Sequence, residues 1–148
     1  MKGRNYLRKL SLVASGLNDS SFRSLIEVVK TTKMLVYLDI SWNKLVPEHF
    51  QELLPILYKN KRLQNINLSW NNIIDGNPTE KTVDYVLLYI GKIIKQNKNM
   101  QHMDLSGTGL NSKIIYELGK CLRRARAVCC IHLSGNPGMS EENRLYLN

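Results

Sequence analysis

One phrase recurs five times along this chain, and its period constrains the fold more than any other feature. Leu7-x-x-Leu10-x-Leu12-x-x-Ser15-x-Leu17 returns as Leu35-x-x-Leu38-x-Ile40-x-x-Asn43-x-Leu45. It returns as Leu63-x-x-Ile66-x-Leu68-x-x-Asn71-x-Ile73, as Met100-x-x-Met103-x-Leu105-x-x-Thr108-x-Leu110 and as Val128-x-x-Ile131-x-Leu133-x-x-Asn136. The phrases begin at 7, 35, 63, 100 and 128, giving three steps of 28 residues and one of 37. Inside each phrase every second side chain points to the same face, as in a short strand. Between phrases the period changes to that of a helix. Phe22, Leu25, Ile26 and Val29 lie at i, i+3, i+4 and i+7, and Phe50, Leu53, Leu54 and Leu57 repeat the stripe. Leu87, Ile90, Gly91 and Ile94 follow, then Ile115, Leu118, Gly119 and Leu122, with a glycine twice in the same place. Pro55 falls inside the second stripe, where its missing N–H predicts a bend. No single strand and helix of this length can bury their apolar faces, but stacked copies can. The expected architecture is an α/β solenoid of about five repeats, with a curved parallel sheet on the concave side and helices on the convex side. It forms one domain across residues 1–148.

The phrases at 38–45 (LDISWNKL), 66–73 (INLSWNNI), 103–110 (MDLSGTGL) and 131–138 (IHLSGNPG) carry a family likeness. With the 28-residue step, they resemble the ribonuclease-inhibitor-like subfamily of leucine-rich repeats. That resemblance covers the chain from Leu7 to about Met139. It implies a binding platform rather than a particular activity, since the family includes enzyme inhibitors, GTPase-activating proteins, immune sensors, actin-capping proteins and axonemal parts. The Asn at 43, 71 and 136 is expected to turn inward and bond the backbone of the next repeat as a ladder. Ser15 and Thr108 interrupt it with fewer donors and acceptors.

Net charge is +9, from 21 basic and 12 acidic residues. No apolar run approaches the roughly 18–20 residues that span a bilayer. Arg8 and Lys9 break the apolar run near the start, and its leucines belong to the first repeat, so a secretory signal is not expected. Cys121, Cys129 and Cys130 match no metal spacing, and adjacent cysteines rarely bridge, which points to a reduced, cytoplasmic setting. A polar segment, Met1 to Asn5, precedes the first phrase, and only SEENRLYLN (140–148) follows the last, too short for a full helix. Solenoids usually carry polar capping repeats. The expectation is therefore a piece of a longer array, or a subunit whose ends a partner covers.

No phosphate loop, nucleophile elbow or zinc-protease motif is present. No catalytic residue, cofactor or metal site is therefore assigned. The nearest approach to a metal cluster is His102, Asp104 and His132, on solvent-facing strand positions about 5 Å apart between neighbouring repeats. The concave columns read Lys9, Tyr37, Asn65, His102, Cys130 and Ser11, Asp39, Asn67, Asp104, His132. Just beyond the strands lie Ala14, Trp42, Trp70, Gly107 and Gly135. Trp42 and Trp70 thus share one column at the sheet margin, and exposed tryptophans are frequent interface hot spots. The nine residues added by the long step fall near Asp75–Asp84. Asn77, Pro78 and Glu80 predict a helix start with Asn77 as cap, running to about Asn97. Its outer face would carry Tyr85, Leu88 and Tyr89, where other repeats hold Ser24, Glu52 and Glu117 opposite Tyr89. Lys33, Lys61, Lys98 and Arg126 form a basic column near helix ends, where unpaired carbonyls favour cations. The same column also suits an acidic partner. No aromatic-interleaved motif points to nucleic acid.

These features predict a non-enzymatic protein-interaction scaffold, part of a larger intracellular assembly, without a small-molecule substrate. A cytoskeletal or ciliary setting suits the basic edge. The competing expectation is a regulator, inhibitor or activator, of an enzyme or GTPase held on the concave face.

Overall fold

The computed structural model describes residues 6–147, so the polar segment 1–5 lies outside the described residues. Strands and helices alternate: β1 (Lys9–Ser11), α1 (Asp19–Thr31), β2 (Tyr37–Asp39), α2 (Pro47–Lys59), β3 (Asn65–Asn67), α3 (Glu80–Gln96), β4 (His102–Asp104), α4 (Ser112–Leu122), β5 (Cys130–His132) and α5 (Glu141–Leu147). The five strands form one parallel sheet in chain order. The register follows the repeat: Leu10, Leu38, Ile66, Met103 and Ile131 pair along one row. The middle three are fully buried, whereas Leu10 and Ile131 on the outer strands are half-buried, having a neighbour on one side only.

The helical stripes supply the other wall of the core. Phe22, Leu25, Ile26 and Val29 of α1 and Phe50, Leu53, Leu54 and Leu57 of α2 are all buried. Helix α2 continues through Pro55 from Pro47 to Lys59. The two aligned glycines have a packing reason. A Cβ on Gly91 would lie 3.2 Å from Cys121 Sγ of α4. One on Gly119 would lie 2.8 Å from the Tyr146 ring of α5. Each glycine admits a side chain from the following repeat. The segment after β5 forms a helix shorter than the other four, as its length suggests. Seven residues form α5, with Asn143 Nδ2 donating to Gly138 O at 2.8 Å.

Helix α3 starts later than expected. Thr79, not Asn77, is its N-cap, accepting the Thr82 N–H at 3.2 Å while the two hydroxyls pair at 2.9 Å. Pro78 therefore precedes the helix instead of opening it. At 17 residues α3 is still longer than α1, α2 and α4, which have 13, 13 and 11.

The asparagine ladder forms, but it runs backward. Asn43 Oδ1 accepts the Ser15 and Leu17 N–H groups of the preceding repeat, and its Nδ2 donates to Leu12 O at 2.7 Å. Asn71 does the same for Asn43, Leu45 and Ile40, and Asn136 for Thr108, Leu110 and Leu105. At Thr108 the side chain reaches its own turn, Leu105 O at 2.6 Å, and Asn136 Oδ1 of the following repeat at 3.3 Å, but not the preceding repeat. Its backbone carbonyl takes over, accepting the Ile73 N–H at 3.1 Å and the Ile74 N–H at 3.3 Å.

Candidate functional site

The polar column on the concave face is mostly turned onto its own strand ends. Asp39 Oδ1 accepts the Ser41 N–H at 3.0 Å and the Ser41 hydroxyl at 2.7 Å. Asn67 Oδ1 accepts the same two groups of Ser69 at 3.0 and 2.7 Å, and Asp104 Oδ1 accepts the Ser106 N–H at 2.9 Å. These are Asx turns, in which a short polar side chain closes a strand without a backbone partner. Asp39 is further tied by Tyr37 Oη and Asn67 Nδ2, each donating to Oδ2 at 3.2 Å, and is only 7% exposed. The expectation that Asp39 is a solvent-facing contact is thus corrected: its carboxylate is spent on the fold. Burial first, and the adjacent Asp39 carboxylate second, push the Tyr37 hydroxyl pKa above the ordinary phenol value.

The three Asx turns deliver the chain to left-handed Trp42, Trp70 and Gly107, with φ of 60°, 55° and 59°, and Ala14 and Gly135 hold the same column in the first and last repeats at 48° and 71°. In that conformation the backbone N–H meets the next repeat: Trp42 N–H donates to Ser69 O at 3.0 Å and Trp70 N–H to Ser106 O at 2.8 Å. Glycine satisfies this geometry freely in the last two repeats. Tryptophan does so at a cost of roughly 1–2 kcal/mol per residue. The two indoles stack, with centroids 4.7 Å apart and planes inclined by 20°. Trp70 also lies against the backbone of Gly107, where a Cβ would be 2.6 Å from its ring. Even so, Trp42 remains 55% exposed and Trp70 45%. A strained pair of large apolar rings left in water is the feature of this face that packing accounts for least.

At the β4–β5 end of the same face the structure gathers His102, His132 and Cys130, and Asp104, part of the nearest approach to a metal cluster in the sequence, is not among them. Donor atoms of the three lie within 4.8 Å of one another. Cys130 Sγ is 3.4 Å from His132 Nε2, and the two imidazoles meet edge to face with centroids 4.9 Å apart. The sequence columns place Cys130 beside His102, but the spacing of the cysteines along the chain does not show this pairing across strands.

On the convex side Tyr85 and Tyr89 are half-buried and packed onto α2. The Tyr85 hydroxyl donates to Gln51 O at 2.6 Å, its ring lies 4.9 Å from Tyr89, and Tyr89 meets Tyr58 edge-on at 6.3 Å. Burial raises the Tyr85 hydroxyl pKa, and the neighbouring Tyr89 adds to the shift. Of the expected stripe, Leu88 alone is exposed. Replacing Tyr85 and Tyr89 together by serine is expected to lower stability by about 2–4 kcal/mol, from lost ring packing and one lost hydrogen bond. Leu88→Ser should leave the melting temperature unchanged. Thermal denaturation followed by circular dichroism checks both.

Along the helix ends, Lys33 Nζ donates to Lys30 O at 3.1 Å, the capping geometry expected of a cation at a helix C-terminus. Lys61 Nζ lies 3.6 Å over the Tyr58 ring, and burial lowers its pKa. Lys98 and Arg126 are exposed and form no ion pair among the described residues. Lys30, Lys33, Lys59, Lys61 and Arg62 surround a groove of about 240 Å³ between the ends of α1 and α2. Among the described residues no helix is long and apolar enough to cross a membrane.

The sequence matches no protein-family model, and no curated protein matches it. Solved structures do resemble it. The tropomodulin C-terminal domain of Caenorhabditis elegans superposes with a TM-score of 0.75 at 11% identity, covering 97% of this chain and 81% of that one. Leiomodin-1 actin-binding site 2 gives 0.72 at 12% identity, covering 96% and 77%. What is shared is the fold. The chain is a leucine-rich-repeat-like solenoid, a parallel sheet backed by helices, and at this identity the likeness carries over no residue of a site.

Proposed function

We propose that this chain is a non-enzymatic protein-interaction module of the actin cytoskeleton, holding its partner on the Trp42–Trp70 margin. The observation that carries the reading is the stacked pair itself: two exposed indoles maintained in a left-handed backbone that glycine would adopt more cheaply. Large rigid aromatics at low entropic cost are the usual anchors of protein interfaces. Actin is favoured among partners because one structural neighbour is itself described as an actin-binding site. Around the anchor, Tyr37 and His132 offer polar contacts on the same face, and the basic edge of Lys61, Lys98 and Arg126 suits an acidic surface. The half-exposed middle residues of the outer strands, Leu10 and Ile131, favour operation within a larger assembly. The 28-residue step with helical convex segments favours the ribonuclease-inhibitor-like class of repeat.

Co-sedimentation with filamentous actin, and titration against monomeric actin, test the reading. Saturable binding is expected, weakening as salt rises. The variant with Lys61, Lys98 and Arg126 all changed to Gln should keep its fold, losing at most about 1 kcal/mol, chiefly the Lys61–Tyr58 contact. Its actin affinity at low salt should fall several-fold and lose much of its salt dependence. Absence of binding to both forms of actin would reject the partner named here. Unchanged affinity of the Gln variant would reduce the basic edge to helix capping.

A further inference from the structure

We propose that His102, Cys130 and His132 form a zinc-binding site joining the fourth and fifth repeats. Parallel pairing sets His102 opposite Cys130, and Cys130 and His132, two residues apart, point to the same face. The three donor atoms lie within 4.8 Å of one another, and Cys130 Sγ to His132 Nε2 is 3.4 Å. Tetrahedral zinc, with bonds of about 2.3 Å to sulfur and 2.0–2.1 Å to nitrogen, holds its ligand atoms about 3.3–3.6 Å apart. One edge of the triangle already has that length, and the other two are no longer than 4.8 Å, a gap that side-chain rotation closes.

The donor set selects the ion. Two imidazoles and a thiolate are borderline-soft ligands, suited to zinc and poorly suited to magnesium or calcium, which take oxygen. Asp104 is not part of the cluster, and its Oδ1 accepts the Ser106 N–H. Cys129 is excluded because its Sγ lies 3.3 Å from Ala127 O, and it is not part of the cluster. Without an ion, the thiol–imidazole contact and the edge-to-face rings satisfy two of the three residues. They leave His102 Nε2, a buried nitrogen with no hydrogen-bond partner among the described residues. A buried polar atom of that kind calls for an explanation, and ligation of the imidazole to a cation supplies one. Three protein ligands leave the fourth zinc position to water or an incoming group. Binding releases the Cys130 proton to solvent as the thiolate coordinates. The site excludes the tryptophan pair and shares only His132 with the proposed partner-contacting face, and zinc titration without actin tests it separately.

Zinc titrated calorimetrically into reduced, metal-stripped protein is expected to bind one to one with a Kd of about 1 µM or below. A hundredfold excess over Kd should raise the melting temperature by roughly 5 °C or more. Cobalt in place of zinc should show a thiolate charge-transfer band that Cys130→Ser abolishes. Loss of an outer-shell partner alone costs about 10–100-fold, so His102→Ala, Cys130→Ser and His132→Ala should each weaken binding at least that much. His102→Gln gives a second variant that keeps a polar side chain at the half-buried position. Cys129→Ser and His49→Ala should bind zinc as the wild type does. Failure to bind one equivalent, binding that survives the ligand substitutions, or loss on changing Cys129 or His49 instead would overturn the site.

Discussion

Asn71→Ala should destabilise the protein by about 3–4 kcal/mol and lower its melting temperature by roughly 8–15 °C. The residue is 4% exposed and joins two repeats. Its Oδ1 accepts the N–H groups of Asn43 and Leu45 at 3.1 and 3.0 Å, and its Nδ2 donates to Ile40 O and Leu68 O at 2.9 and 3.1 Å. The carbonyls have some cover, since Ile40 O also accepts from Asn43 Nδ2. Both N–H groups lose this acceptor in the alanine variant, and each orphaned buried donor costs about 1–3 kcal/mol. Thr108→Ala is the contrast. Its hydroxyl reaches only its own turn and Asn136, and its backbone carbonyl serves the preceding repeat, so about 1 kcal/mol should be lost. Urea denaturation of the two variants, read at equal m-value, makes the comparison.

Partner affinity should fall by about 2 kcal/mol, some thirtyfold, on Trp42→Ala. Trp42 contributes the more exposed ring and packs on one described aromatic partner, Trp70. Its removal should therefore change stability little, since the lost stacking is worth about 0.5–1.5 kcal/mol and alanine, which keeps its Cβ, meets the same left-handed cost. Trp70→Ala should reduce affinity comparably, with a larger stability cost, because Trp70 lies between Trp42 and the Gly107 backbone. A binding titration beside a melting curve for each variant separates the two contributions.

The repeat made most of the scaffold legible in advance. A two-residue side-chain period inside a constant 28-residue step leaves one register in which Leu38, Ile66 and Met103 all face the core, and that register is observed. Legibility failed where two local solutions compete. Asn77-Pro78 and Thr79 are both plausible helix caps, and the hydroxyl pairing with Thr82 favours the second. It failed again where a strand residue can face solvent or fold onto its own backbone: Asp39 and Asn67 chose the Asx turn, a choice the serine two residues later made available. Gly107 and Gly135, sharing a column with the tryptophans, were the signal for a left-handed turn. Whether Tyr85 and Tyr89 are open is not legible in the sequence, because helical periodicity cannot show how closely α2 approaches.

The most direct test of the interaction account is the double variant Trp42→Gly, Trp70→Gly, assayed for filament binding and for unfolding on the same sample. Glycine is the residue that Gly107 and Gly135 already place in this column, so the backbone is relieved while both rings are removed. The account predicts a cooperative unfolding transition within about 2 kcal/mol of wild type and actin binding reduced by more than thirtyfold. Wild-type actin affinity in the double variant, or loss of its cooperative transition, would contradict it and return the tryptophan pair to the packing of the solenoid.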